Sequence, residues 1–490
     1  MRKADMESVD IVIVGAGFGG IGLGHKLKEA GLNSFLILEK ADEVGGTWRD
    51  NTYPGAECDV PSFFYSYSFA PNPDWQHKWS KQSQIFDYQK KCAGDFGLYP
   101  HIRFGQEAKT ARFDEAKGRW TVITDKGDRI ECRHFICALG QLHHPSIPKI
   151  NGQDDFKGQQ FHSTSWPDGA DLKGKNVAVV GNAASALQFI PHVAEQAAMA
   201  TVYQRTPNWV MPKGNRPYTA FEKWVSRYVP PLARLYRLGQ WLRTEYVVFP
   251  IIAGSRPHQM LGRSLFRRNL YKAVSDPELR AKLTPDYPLG AKRILISDTL
   301  FPALARDNVE VVTEGIGYIS ANGITDKSGM SRAHDFIIYG TGFQTNPFIQ
   351  SIDVTGRDDK SLRDVWKDGA RAYLGIAVPG FPNLHMLYGP NTNTGHSSVI
   401  YMMEAQIGYI VQLVQQASTK TAEVREDVAT RFDAEMQTRL TQSVWDEIET
   451  SWYKDGGRIT NNWPGSGREY HRRTKRLVPQ DFVFSDPQGD

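Results

Sequence analysis

Cysteine is scarce in this chain of 490 residues: Cys58, Cys92, Cys132 and Cys137 are its only four, and no two stand at C-x-x-C spacing. That pattern excludes a disulfide-stapled secreted fold and removes the redox-active pair a disulfide reductase needs, so the expected compartment is the reducing cytoplasm. Charge of one sign is equally scarce, with a formal net of +4, and no general affinity for nucleic acid follows. No apolar run has the length to cross a bilayer. The N-terminal MRKADMESVD leads straight into a strand without the apolar core of a signal peptide. No His, Cys and carboxylate side chains gather at ligand spacing, so no metal is expected; His143 and His144 read as a solvated loop pair. What remains is an ordinary globular composition, 40% hydrophobic and 23% charged, at a length that suits two to four domains.

Within that composition one pattern occurs twice. The segment IVIVGAGFGGIGLGHKL is a strand, a turn and a helix, with Gly15, Gly17 and Gly20 spelling G-x-G-x-x-G. Gly15 permits the tight turn, Gly17 lets backbone approach a pyrophosphate, and Gly20 lets the helix pack closely with its N-terminus towards the phosphates. A second strand, SFLILE, ends in Glu39, a carboxylate suited to a ribose diol and unsuited to a 2′-phosphate, which points to FAD or NAD. The second unit, NVAVVGNAASALQFI, begins its turn at Gly181, and the following strand TVYQR ends in Arg205. Gly15 to Glu39 is 24 positions and Gly181 to Arg205 is also 24. The same place by count thus holds an acid in one unit and a guanidinium in the other, which favours NADPH over NADH in the second. Ser185 and Thr206 complete the expected contacts. Ala183 stands where the second glycine would, so its methyl is expected at the pyrophosphate.

Two further motifs carry a family resemblance. Phe156, Gly158, His162, Trp166 and Pro167 give F-x-G-x-x-x-H-x-x-x-W-P, a hinge between the two units. Gly45 to Asp59, GGTWRDNTYPGAECD, gives G-G-x-W-x-x-x-x-Y-P-G-x-x-x-D. Both patterns resemble those of the type I Baeyer–Villiger monooxygenases, and the resemblance extends over nearly the whole chain. It implies a flavoenzyme with FAD and NADPH, in which reduced flavin takes up O2 as a C4a-peroxide that attacks a ketone to give an ester or lactone. By the same resemblance Gly46, Thr47, Trp48, Tyr53 and Asp59 surround the flavin. Arg293 is the catalytic arginine, Lys292 reaches the 2′-phosphate, Asp59 orients Arg293, and Trp452 belongs to a substrate-side loop.

The expected architecture is α/β, with two Rossmann-like dinucleotide-binding domains. Residues 1–145 and 346–490 would bind FAD, and 146–213 and 289–345 NADPH. Residues 214–288 form a helical insertion in the NADPH domain. Between Lys213 and Ala273 there are twelve Lys/Arg and two acids, a local +10, interleaved with aromatics. Pocket-forming helices explain those residues, and so does contact with an anionic membrane surface. The partners expected are a small ketone and O2, in a monomer or homodimer. A related monooxygenase acting on sulfur or nitrogen fits the same motifs, and a non-oxygenase flavin/NADPH redox or binding protein fits fewer of them. The helix start near Ser397–Ser398 follows a Gly/Asn loop, in which His396 reads as a loop residue.

Overall fold

The computed structural model describes residues 6–344, 348–349, 351–448, 453–455 and 457–487, so Trp452 lies outside the described residues. Strand β1 (Glu7–Val14) is buried over its last four residues, as a Val/Ile run covered on both faces of a parallel sheet must be. It pairs in parallel with β2 (Phe35–Leu38) on one side and β6 (Arg129–Cys137) on the other. The sheet runs outward from β2 to β3 (Ile102–Arg103), and from β6 through the antiparallel β5 (Arg119–Thr124) and β4 (Ala108–Asp114) to Asp353–Thr355. The late strand Leu384–Met386 adds beside the C-terminal end of β6, 247 positions after that strand ends at Cys137.

The second sheet has the order Val309–Val312, β9 (Met199–Tyr203), β8 (Asn176–Val180), Phe336–Tyr339 and β7 (Gln159–His162), all parallel. Each sheet sends its central strand into a glycine turn and then a helix, Phe18–Glu29 in one and Ala184–Gln196 in the other. Ligands of open parallel sheets bind beyond the carboxyl ends of the strands, and here both such ends open towards one another. The two connections between the sheets run side by side: Ser146 N donates to Gly342 O at 2.9 Å and Gln344 N to His144 O at 2.8 Å.

The motif expected as a hinge is an element of the second sheet. Its residues form β7 and the turn after it, at the sheet's edge. Phe156 is buried under the sheet with Ala178 and Val180, and Trp166 packs on Phe161 and Phe189 at 5.2 and 5.4 Å between ring centroids. A Cβ on Gly158 would stand 2.3 Å from Asp335 O. Buried His162 lies 6.0 Å edge-on from Phe343 in the returning connection. The insertion is helical as expected, with helices Ala220–Tyr228, Pro230–Arg243 and Arg256–Ala273. A Thr219/Glu222 capping box opens the first and Pro230 the second.

Candidate active site

Between the two sheets lies a cavity of about 900 Å³. Gly15, Gly17, Glu39, Gly46, Thr47, Trp48, Tyr53 and Asp59 line it from the first unit, and Gly181, Ser185, Arg205, Thr206, Lys292 and Arg293 from the second. Gly20 packs behind it, where a Cβ would stand 2.0 Å from Gly15 O. Phe156, Gly158, His162 and Trp166 do not line it and stand in or against the second sheet.

The first glycine turn is shaped for an anion. Gly15 has φ +104°, and a Cβ on Gly46 would lie 3.4 Å from Gly17 Cα, so two bare backbones face each other at the helix start. The N-cap Gly17 offers no side chain, and although the Gln89 amide oxygen accepts from Phe18 N, the next N–H groups are left to a ligand. Glu39 is buried and accepts from Ala16 N at 2.9 Å, Ala41 N at 3.0 Å and Arg49 Nη1 at 3.1 Å. Among the described residues, the buried Oδ1 of Asn51 and Oε1 of Gln141, both lining residues, meet no hydrogen-bond donor of the protein. Facing glycines, open N–H groups and unpaired polar atoms in one cleft are what a dinucleotide requires.

The second turn departs from the count made on the sequence. Gly15 N donates to Leu38 O and Gly181 N to Tyr203 O, so Tyr203 is the equivalent of Leu38. The partner of Glu39 is therefore Gln204, and Arg205 stands one residue further on, exposed at the cavity rim. Gln204 is engaged locally, accepting from Asn182 Nδ2 at 3.2 Å. Arg205 nevertheless lies near enough to Lys292 for their charges to interact. Burial lowers the Lys292 pKa, and the nearby Arg205 charge lowers it further. Lys292 also lies 4.7 Å over the Tyr287 ring. Ala183 adopts φ −63° and ψ 174°, and its Cβ lies 3.7 Å from where a Cβ on Gly342 would stand, so its methyl faces the returning connection.

Arg293 sits two residues before the short strand Leu295–Ile296, which pairs with Val210–Met211. Burial works against its charge, but the opposing fields, led by that of the Asp59 carboxylate, outweigh it, and its pKa rises. Burial in turn pushes the Tyr388 hydroxyl and the Cys58 thiol each up to about 12, so both stay neutral. Asp59 does not form the expected close pair with Arg293. Its nearest cation is Lys213, whose Nζ lies 4.0 Å from Asp59 Oδ1 and 2.6 Å from Glu57 Oε1. The 45–59 loop is pinned to the second unit through Gln188, which accepts from Tyr53 OH at 2.9 Å and donates to Glu57 O at 2.8 Å. The sequence does not single out Lys213 or Gln188, because each meets its partners across more than 120 positions.

One histidine expectation changes, that for His143, while His396 is the loop residue expected. His143 is a lining residue rather than a solvated one, and burial lowers its pKa to about 4. His396 is buried in its loop, 3.8 Å from Glu245 Oε1, and does not line the cavity. The helix expected after it is present: Ser398 caps Val399–Gln416, and Val399 and Met403 line the cavity. Among the described residues no group of His, Cys and carboxylates could hold a metal.

A family model described as pyridine nucleotide-disulphide oxidoreductase matches residues 12–229. All four cysteines are buried and unpaired, so the match reflects the shared nucleotide fold rather than disulfide chemistry. Two similar solved structures are an oxidized steroid monooxygenase bound to NADP and the OTEMO complex with FAD and NADP. The first has TM-score 0.86 and 28% identity, covering 98% of this chain and 100% of that one. The second has TM-score 0.87 and 28% identity, covering 97% and 99%. A Baeyer–Villiger monooxygenase of Streptomyces coelicolor is 39% identical over 489 residues, covering 98% of this chain and 93% of that protein. At that identity, over nearly the full length of both, the chain belongs to the Baeyer–Villiger monooxygenase family.

Proposed function

We propose that the chain inserts one oxygen atom of O2 beside the carbonyl of a small ketone, with NADPH as reductant: ketone, O2, NADPH and a proton become ester or lactone, NADP+ and water. FAD would lie against Gly15, Gly17, Glu39 and the 45–59 loop. NADPH would lie against Gly181 and Ser185, with Arg205, Thr206 and Lys292 at its 2′-phosphate. Residues 1–145 and 346–490 form the flavin unit in this reading, and 146–213 with 289–345 the nicotinamide unit. The cofactors supply hydride transfer and oxygen activation.

The protein's own part is electrostatic. The observation that carries the reading is the convergence of two nucleotide turns and Arg293 on one cavity. Arg293 keeps its proton at any working pH and offers a fixed cation to oxygen atoms that become negative as the carbonyl is attacked. Neutral Tyr388 and Cys58 beside it leave that charge uncontested. Asp59 raises the Arg293 pKa through its field, while Lys213 and Gln188 hold the Asp59 loop in place. The buried, unpaired thiols suit a reducing cytoplasm, and the enzyme works as a monomer or homodimer. Turnover of matched ketone and thioether panels tests the substrate class. Ester formed in step with NADPH consumption supports it, and sulfoxide without ester overturns it.

A further inference from the structure

The insertion turns its apolar side outward. Of the 22 large apolar side chains exposed among the described residues, 14 lie between Phe221 and Tyr271. Helices Ala220–Tyr228 and Pro230–Arg243 contain no buried residue. On the second, Leu232, Leu235, Leu238 and Leu242 recur at helical spacing and are all exposed, Leu235 by 62%. The opposite side carries Arg237, which donates to Phe63 O and to Ser66 Oγ in the body of the protein. A helix that packs through its arginine and presents its leucines is inverted for life in water. Across the Val229–Pro230 turn, Phe221, Trp224 and Tyr228 extend the exposed surface as a run of neighbouring rings.

Charge decides what covers this face. Arg234 and Arg243 on the leucine helix are exposed, as are Arg256 and Arg268 elsewhere in the insertion, and among the described residues no carboxylate lies within the 4.0 Å of an ion pair from any of them. Of the two acids in the stretch, Glu222 is held by Arg216 and Glu245 is buried. A second copy meeting this face about a two-fold axis would set arginine against arginine, since the nearby Asp74 and Glu222 are already engaged by Arg227 and Arg216. An anionic lipid surface answers both features, taking the leucines and aromatic rings into its boundary and the guanidinium groups at its headgroups. No helix among the described residues is long and apolar enough to cross a membrane, so the contact would lie in the plane of the surface. We infer that the helical insertion is a docking surface for an anionic lipid membrane.

Sedimentation of the holoenzyme with vesicles of phosphatidylcholine, alone or mixed with phosphatidylserine, tests this independently of turnover. The expected result is binding to the mixed vesicles only, weakened by salt. It should fall at least about tenfold in the double variant Leu235→Ser/Leu242→Ser. Flavin content and ketone turnover of that variant in solution should stay at the wild-type level, which shows that it is folded. Absence of binding at low salt overturns the inference, as does binding that the double variant leaves intact. A leucine-dependent dimer in sedimentation velocity, without vesicle binding, assigns the face to a second copy instead.

Discussion

Replacing Lys292 with Ala separates the two nicotinamide cofactors. Lys292 is half-buried beside Arg205, and burial and that neighbour lower its pKa against the weaker opposing field of Asp286, so two cations are held together and only partly compensated. A 2′-phosphate relieves this repulsion and accepts charge-assisted hydrogen bonds, each worth about 1.5–3 kcal/mol. Loss of one such contact corresponds to about a tenfold to 150-fold weaker NADPH affinity. Lys292→Ala should fall towards the upper end because the site is partly shielded from water, and Arg205→Ala towards the lower end because Arg205 is exposed. NADH affinity should hardly change in either. The pH dependence has a definite sign: NADPH affinity declines as pH rises through the lowered Lys292 pKa, below 10.5. In Arg205→Ala that midpoint moves upward, since the repulsion between the two cations is gone while burial remains. Anaerobic stopped-flow reduction of the flavin at graded NADPH and NADH concentrations gives the dissociation constants. Equal losses for the two nucleotides would remove both residues from the phosphate site.

Acid should destabilise the fold through histidines buried in neutral form. Burial lowers the pKa of His385 to about 3, and those of His143 and His334 to about 4, from 6.5. The unfolded chain therefore binds more protons below 6.5, and stability is lost as pH falls from there towards about 4 for His143 and His334 and about 3 for His385. A histidine that folding makes tenfold harder to protonate forfeits about 1.4 kcal/mol of stability in acid. The urea midpoint should therefore drop steeply over that window and less steeply in His385→Gln; parallel slopes would exclude this origin. Gly158→Ala should lower the Tm, since its Cβ would overlap Asp335 O at the edge strand, and overpacking costs about 1–3 kcal/mol. An unchanged Tm would show that the edge strand yields.

What the sequence reveals here is what is local. Gly15, Gly17, Gly20 and Glu39 are legible because strand, turn and helix are consecutive, and the structure brings three of the four to the cavity wall. Counting along the chain places Arg205, and the count misses by one because β9 pairs with β8 at an offset of 23 where β2 pairs with β1 at 24. Lys213 is invisible as a site residue because only folding brings it to Glu57 and Asp59. The leucine spacing of 232, 235, 238 and 242 reads as a helix with one apolar face, but periodicity does not say whether that face turns inward or out. The exposure of those leucines and the inward Arg237 settle it.

Arg293 is assigned here to stabilise negative oxygen after the flavin has been reduced, and the most direct measurement is ester formed per NADPH consumed in Arg293→Ala. That variant should keep FAD and still oxidise NADPH under oxygen, but release hydrogen peroxide. Ester formation should fall about a hundredfold to thousandfold, the usual loss for one preorganised oxyanion stabiliser. Ester formation at near wild-type rate and coupling would take that role away from Arg293.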